Sequence, residues 1–219
     1  MLITTNCKIF STGSLRFQMD NLNIKKDHKN IEKRMSLSMS TNVFIQLPDT
    51  ILTKRTILKK TSIADATTLF DIWSDDEVAQ FMNIEKFSTI LQAEEMIQAI
   101  ENEPNACRYT IFTTDDSLHA IGSLGINDIN KTNQTIEIGY ELAKSHWRQG
   151  FMFEILTTFL TTVKPYLPYK VLTAKVLPDN VASIKLLKKL GFELTTTGQE
   201  LDLHSGRICE ISNYRMLLK

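Results

Sequence analysis

The sequence lacks a disulfide pattern, a metal-binding pattern and any long hydrophobic run. Its three cysteines are an odd number without Cys-x-x-Cys spacing, which argues against a disulfide framework or a zinc site and favours a reducing compartment. Its four histidines show no metal-like spacing either. No apolar run approaches the roughly 18 residues that a membrane-spanning helix needs, and no signal-peptide stretch opens the chain. We therefore expect a cytoplasmic protein without a metal or a membrane contact.

Net charge is also absent, because 25 Lys or Arg residues balance 25 Asp or Glu residues. The whole chain therefore gives no argument for a direct nucleic-acid partner. The charges are unevenly distributed, since residues 1–47 carry seven basic and three acidic residues, a net charge of +4. The remaining residues carry a net charge of −4, and such a mildly acidic body is compatible with cationic, amine-bearing substrates.

The composition changes near residue 48. Residues 1–48 are rich in Asn, Ser, Thr and Lys, show no sustained period and end at Pro48, so we interpret them as a weakly ordered basic N-terminal extension. A basic arm that contacts an acidic partner such as the ribosome is the alternative. Residues 49–219 are expected to form one domain, because the 42% hydrophobic content of the chain suffices for a sizeable core.

Hydrophobic periodicity after residue 48 predicts the order β-α-α-β-β-β-α-β-α-β-β, an α/β (α+β) fold with a mixed sheet. Gly191 is a suitable C-terminal cap for the last helix, and Ser205-Gly206 would join the last two strands as an antiparallel pair. The predicted strands cover residues 53–60, 108–113, 120–126, 135–142, 170–177, 192–197 and 208–217, and the predicted helices cover 65–73, 89–101, 151–163 and 181–190.

One strand–turn–helix junction has the features of an anion site. The strand of residues 135–142 leads through a polar turn to Gly150, where an apolar helix begins. Backbone N–H groups at a helix start have no intrahelical partners and lie at the positive end of the helix dipole, which suits a pyrophosphate. Gly150 lets the backbone approach a ligand without a Cβ atom, and Arg148 adds positive charge. A glycine that merely makes the turn is the alternative.

A second segment, Pro178 to Ser183, leads from a strand into the helix that ends before Gly191-Phe192. Together the two segments resemble the GNAT superfamily of acetyltransferases, most closely its branch of RimJ/RimL-like ribosomal-protein N-terminal acetyltransferases. The resemblance spans roughly residues 52–218 and rests on Thr53 to Lys59, Asp65-Ala66, Ile72 to Val78, Glu137-Ile138-Gly139-Tyr140, Trp147-x-x-Gly150, Asn180-x-x-Ser183, Gly191-Phe192 and Gly206-Arg207.

The resemblance implies the GNAT fold, in which a mostly antiparallel sheet of about seven strands, flanked by about four helices, splits into a V at the acetyl-CoA site. The pantetheine arm would pair with the strand ending at Leu142 like an added strand. Met152 stands where the family usually has a small residue, and we expect its side chain to point away from the phosphates, toward the sheet. The implied cofactor-binding residues are Tyr140, Glu141, Leu142, Trp147, Arg148, Gln149, Gly150, Phe151, Met152, Asn180 and Ser183.

The implied activity is acetyl transfer from acetyl-CoA to a primary amine by direct attack, with general acid/base help. Many family members use a tyrosine four residues before the Gly-Phe pair as the acid, but this position is Leu187 here. The resemblance to the ribosomal-type branch instead implies a serine and a carboxylate as the acid/base residues. The matching residues here are Ser183 and Asp202, and Glu200 is near enough to compete with Asp202 as the carboxylate. Glu137 is a further candidate base, although pairing with a neighbouring Lys or Arg is the commoner role of such a residue.

The implied acceptor is either the α-amine of a protein N-terminus, for example of a ribosomal protein, or a small amine such as an amino acid, a polyamine or an amine-bearing toxin. Trp73, Phe81 and Met82 lie where the likeness places the acceptor pocket, although core packing is the commoner role of such residues. A non-catalytic acyl-CoA-binding domain is the alternative from another class. We expect either a monomer or a homodimer.

Overall fold

The computed structural model describes residues 46–115 and 119–218 of the chain. The segment predicted as one strand over residues 53–60 holds the turn and the second strand of a hairpin, because the amide of Thr53 donates to the carbonyl of Thr56 at 2.9 Å and the first strand lies at residues 50–52. The predicted mixed sheet is confirmed, with eight strands in the described residues in place of seven. The strands are β1 Thr50–Leu52, β2 Thr56–Lys60, β3 Cys107–Thr113, β4 Ala120–Asn130, β5 Thr135–Leu142, β6 Val171–Val176, β7 Glu193–Asp202 and β8 Arg207–Leu217.

Five α-helices occur in the described residues, one more than the sequence analysis predicts. The additional helix is capped by Asp75, whose carboxylate accepts a hydrogen bond from the Glu77 amide at 2.9 Å. No helix among the described residues is long and apolar enough to cross a membrane. The helices are α1 Ala66–Trp73, α2 Asp76–Ala79, α3 Ile90–Asn102, α4 Phe151–Val163 and α5 Val181–Leu190.

The sheet has the strand order β1-β2-β3-β4-β5-β6-β8-β7 and is antiparallel except between β5 and β6. Among the described residues, the pairing of β5 with β6 is limited to Thr135–Glu137 opposite Val171–Thr173. β5 continues to Leu142, while β6 pairs with β8 along its whole length. The two central strands therefore diverge after Glu137, which is the V that the resemblance implies.

Two hydrophobic clusters cover the two faces of this sheet. On one face, Ile136, Ile138 and Tyr140 of β5 pack in a cluster that includes residues of α4 and α5. The second cluster is built from α1, α2 and α3 with the loop between α2 and α3. Because successive strand residues point to opposite faces, Glu137 and Glu141 of β5 project toward the face that carries this second cluster.

The predicted extension, residues 1–48, lies outside the described residues except for its last three. Leu47 is buried in the larger hydrophobic cluster. The carbonyl of Pro48 accepts a hydrogen bond from the Tyr109 hydroxyl at 2.6 Å. These two residues therefore pack against the folded body.

Candidate active site

The turn between β5 and α4 has the geometry of an anion site. Arg148 and Gly150 both have positive φ values, +59° and +78°, and α4 begins immediately after Gly150. The side-chain amide of Gln149 donates to the Ser145 carbonyl at 2.7 Å, and the Trp147 indole donates to the Leu142 carbonyl at 2.7 Å. These two hydrogen bonds fix the conformation of the turn. The first N–H groups of α4 follow directly after it and have no partners within the helix.

Gly150 is required by backbone conformation rather than by crowding. A Cβ atom at this position would meet only the Arg55 side chain, at 3.8 Å. The left-handed φ value nevertheless disfavours residues other than glycine. Met152, which stands where the family usually has a small residue, is 1% exposed and belongs to the core cluster. Its side chain therefore points inward, away from the surface of the turn.

Arg55 fastens the turn to the β1–β2 hairpin, a role that the sequence analysis did not predict. Its Nε atom lies 2.8 Å from Glu154 Oε2, and its Nη1 atom donates to the Gln149 carbonyl at 3.1 Å. Its guanidinium also lies 4.0 Å from the centre of the Phe151 ring. Burial opposes ionisation of Glu154, but hydrogen bonds from Thr53 and Arg55 outweigh it and lower the pKa of this carboxyl.

A groove of about 460 Å³ lies between this turn and α5. Its walls include three cationic side chains, Arg148, Lys185 and Lys189, which suit a polyphosphate. Asn180 belongs to the same groove and caps α5, because its side-chain Oδ1 atom accepts a hydrogen bond from the Ser183 backbone amide at 3.1 Å. The other lining residues are Phe81, Trp147, Gly150, Asp179, Val181, Ala182 and Leu186.

Ser183 and Asp202 occupy separate environments. Ser183 is fully buried, and its Oγ atom lies 2.9 Å from the hydroxyl of Tyr140 on β5. Burial raises the pKa of Tyr140, although the hydrogen bond with Ser183 opposes this. Asp202 closes the β7–β8 turn, where its Oδ2 atom accepts a hydrogen bond from the Ser205 amide at 3.0 Å. The structure therefore gives each residue a local partner of its own.

Glu141 is held in a buried polar network. Its carboxylate forms an ion pair with Arg108 and accepts a hydrogen bond from the Ser123 hydroxyl. The Trp73 indole also donates to it, at 3.0 Å. Because the side chain is 1% exposed and fully engaged, any contact of Glu141 with the cofactor would be made by its backbone.

Glu137 differs from Glu141 because its side chain is only partly buried and is not fully paired. Its Oε2 atom lies 3.9 Å from Lys175 Nζ, and its Oε1 atom has no hydrogen-bond partner among the described residues. Burial raises the pKa of Glu137 to about 7, although Lys175 and the amide of Asn127 lower it. A carboxyl with this pKa can both accept and release a proton near neutral pH.

Glu137 faces a cavity of about 470 Å³ on the side of the sheet opposite the groove at α5. Trp73 and Met82 line it as the likeness implies, whereas Phe81 lines the groove instead. Its lining combines apolar side chains with amides and ionisable groups. The apolar lining residues include Trp73, Met82, Ile84, Met96, Ile100 and Ile126, and the ionisable side chains include Glu103, Arg108, Asp128, Glu137, Lys175 and Arg215.

Comparisons with known proteins agree with this geometry. The "Acetyltransferase (GNAT) domain" family matches residues 55–193. The uncharacterized N-acetyltransferase p20 of Bacillus licheniformis is 34% identical over 77% of this chain and 96% of its own length. The uncharacterized N-acetyltransferase YoaA of Bacillus subtilis (strain 168) is 34% identical over 64% of this chain and 81% of its own length.

Solved structures share the fold. RimL, a ribosomal L7/L12 α-N-protein acetyltransferase solved in complex with coenzyme A, superposes with a TM-score of 0.68 at 19% identity. The match covers 77% of this chain and 98% of RimL. The V between β5 and β6, the turn at Gly150 and the match over most of the domain lead to one conclusion. The chain belongs to the GNAT family of acetyl-CoA-dependent N-acetyltransferases.

Proposed function

We propose that this chain acetylates a primary α-amine that enters the cavity lined by Glu137, and that Glu137 is the general base. The observation that carries the proposal is the Oε1 atom of Glu137, which has no hydrogen-bond partner within the described part of the chain and lies where β5 and β6 diverge. The groove at α5 and the cavity lie on opposite faces of the sheet. The gap between the two strands therefore gives the two reactants a place to meet.

The reaction needs a neutral amine. The amine nitrogen forms a bond with the acetyl carbon, the carbon–sulfur bond breaks, and the thiolate of coenzyme A leaves. The proton lost by the amine would pass to Glu137, directly or through water. With a pKa of about 7, Glu137 is well matched to α-amino groups, whose pKa lies near 7.7–8.0, and poorly matched to lysine, near 10.4. This match favours an N-terminal or amino-acid α-amine over a lysine side chain.

The phosphates of acetyl-CoA are assigned to the turn of residues 147–150 and the start of α4. Arg148 and the first N–H groups of α4 would bind the pyrophosphate. The backbone of Tyr140 to Leu142, which is not paired with β6, would bind the pantetheine arm. Met152 contributes to the core below this turn rather than to the ligand surface.

Ser183 and Asp202 provide a second assignment for the acid/base roles, which the resemblance to the ribosomal-type branch suggests. Either hydroxyl can be the donor in the hydrogen bond between Ser183 and Tyr140, and Ser183 would keep its own proton for the leaving thiolate only when Tyr140 donates. Asp202 has an unpartnered buried Oδ1 atom among the described residues, but its other oxygen holds the β7–β8 turn. In this assignment, Ser183 would complement Glu137 rather than replace it.

The specific acceptor is proposed by analogy only. RimL acts on ribosomal L7/L12, so a ribosomal protein N-terminus is the first acceptor to test, followed by free amino acids, polyamines and amine-bearing toxins. A monomer or homodimer in the cytoplasm stays our prediction for the molecule that performs this reaction.

Thiol release from acetyl-CoA tests the proposal. The panel contains peptides with free α-amines, including the L7/L12 N-terminus, the same peptides with blocked α-amines and an internal lysine, and the small amines. We expect turnover only with free α-amines and a loss of about 100-fold or more for Glu137→Gln. The matched control is Glu210→Gln, which makes the same chemical change at an exposed residue.

Two results would count against the proposal. Full activity of Glu137→Gln on a confirmed substrate would remove Glu137 as the base. Binding of coenzyme A without turnover on any amine would instead favour the non-catalytic acyl-CoA-binding domain.

A further inference from the structure

Lys175 of β6 stands between two carboxylates from two other strands. Its Nζ atom lies 2.7 Å from Glu200 Oε1 on β7 and 3.9 Å from Glu137 Oε2 on β5. All three side chains are at least partly shielded, with relative exposures of 21% for Lys175, 28% for Glu200 and 16% for Glu137. The single ammonium group is therefore shared unequally, and Glu200 has the larger share.

The distances decide which carboxylate is neutralised. At 2.7 Å, Lys175 and Glu200 form a direct charge-assisted hydrogen bond. At 3.9 Å, Glu137 feels the ammonium only as a nearby charge, and its Oε1 atom has no hydrogen-bond partner among the described residues. A closer approach of Lys175 would convert Glu137 into an ordinary ion-paired carboxylate, which is a poor proton acceptor.

We propose that Glu200 is a positioning residue that engages Lys175 and so keeps Glu137 available to accept a proton from the amine. This inference rests on the proposed function, in which Glu137 is the base. Glu200 itself touches neither reactant in this scheme. It acts through Lys175, and Lys175 in turn acts through its charge on Glu137.

The charges around Glu137 determine in which direction each substitution changes its pKa. After burial, which raises the pKa of Glu137 most, Lys175 lowers it, and Glu200 and Asp128 raise it. Arg215 from β8 lines the same cavity and adds positive charge on that side. Removing the charge of Glu200 should therefore lower the pKa of Glu137, and removing the charge of Lys175 should raise it.

The test is the dependence of kcat/KM on pH, measured with saturating acetyl-CoA and the best acceptor of the panel. We expect Glu200→Gln to move the acidic limb to lower pH by about one unit and to lower the plateau, because a weaker base transfers the proton less well. We expect Lys175→Met to move the limb to higher pH by about one unit. Lys175→Arg should restore the limb in large part, since it keeps the charge.

Matched controls are Glu210→Gln and Lys131→Met, both of which change exposed residues outside the cavity. The thermal unfolding midpoint of each variant shows whether a shifted limb comes from a folded protein. If Lys175→Met does not fold, the comparison of Glu200→Gln with Lys175→Arg still tests the inference.

The two proposals fail in different ways. If Glu137→Gln retains activity, the base assignment is wrong, and the limb does not report this carboxyl. If Glu137→Gln is inactive but the limb is the same in Glu200→Gln and Lys175→Met, only the role of Glu200 and Lys175 is wrong. Shifts of both variants in the same direction would also overturn it, because positioning requires opposite signs.

Discussion

The guanidinium of Arg55 lies 2.8 Å from the carboxylate of Glu154 and joins two segments that are 99 residues apart. Through its second contact, with the Gln149 carbonyl, Arg55 reaches the turn to which we assign the cofactor phosphates. The β1–β2 hairpin thus holds the start of α4 in place. We therefore expect this contact to couple the first strands of the domain to cofactor binding.

Arg55→Met should weaken coenzyme A binding about tenfold, because the turn loses its external support. Arg55→Lys should recover the thermal midpoint but not the affinity, since an ammonium can pair with Glu154 but cannot also form the guanidinium fork to Gln149. Isothermal titration with coenzyme A and thermal unfolding measure the two effects. Equal recovery of both by Arg55→Lys would show that Arg55 serves stability alone.

Gly150→Asp should weaken coenzyme A binding by at least about tenfold. The substitution combines an unfavourable φ of +78° with a negative charge beside the expected phosphates. Gly206→Asp is the matched control, because Gly206 also has a positive φ, +68°, and open space around it, but lies in the β7–β8 turn. If folded Gly150→Asp titrates coenzyme A like the parent chain, the phosphate assignment is wrong.

Ser183→Ala should lower turnover more than coenzyme A affinity. The loss of the buried hydrogen bond to Tyr140 should cost about 1 kcal/mol of stability, and Tyr140→Phe removes the same bond from the other side. If both variants lose stability but only Ser183→Ala loses kcat, the serine hydroxyl has a chemical role. Unchanged turnover of Ser183→Ala would remove Ser183 from the mechanism.

Glu137→Gln should stabilise the fold at alkaline pH. The pKa of Glu137 is raised from 4.5 to about 7 on folding, so the folded state binds a proton more tightly than the unfolded state. Its contribution to stability is full below pH 4.5 and is lost as the pH rises through about 7. At pH 8 the neutral glutamine avoids this loss, worth about 3 kcal/mol.

Urea unfolding of Glu137→Gln and the parent chain at pH 5 and pH 8 measures this difference. The two chains should differ clearly less at pH 5 than at pH 8. A difference that does not change with pH would mean that the pKa of Glu137 is close to its ordinary value in the folded protein.

Local patterns made most of the fold predictable. The helix over residues 151–163 and the strand over residues 135–142 are found with their predicted bounds, because their apolar residues repeat with the periods of a helix and a strand. The hairpin before Lys60 was missed because the Thr53 turn depends on side-chain hydrogen bonds rather than on glycine or proline. The short helix α2 was missed because four residues show no period.

The candidate site likewise contains features that local sequence predicts and contacts that it does not. The turn at Gly150 and the alternation that separates Glu137 from Ile136 and Ile138 follow from the chain itself, since a helix start and a strand orient their own neighbours. The Ser183–Tyr140 bond, the Arg55–Glu154 pair and the sharing of Lys175 join residues 43, 99 and 25 positions apart.

Such contacts depend on strand order and register. A slip of one residue in β6 or β7 would turn Lys175 or Glu200 to the other face of the sheet. The sequence by itself therefore determined most of the helices and strands and the turn to which we assign the cofactor phosphates. Only the tertiary structure decided that Glu141 is locked in an ion pair with Arg108 while Glu137 keeps an unpartnered oxygen among the described residues, because packing between distant segments sets the surroundings of each carboxyl.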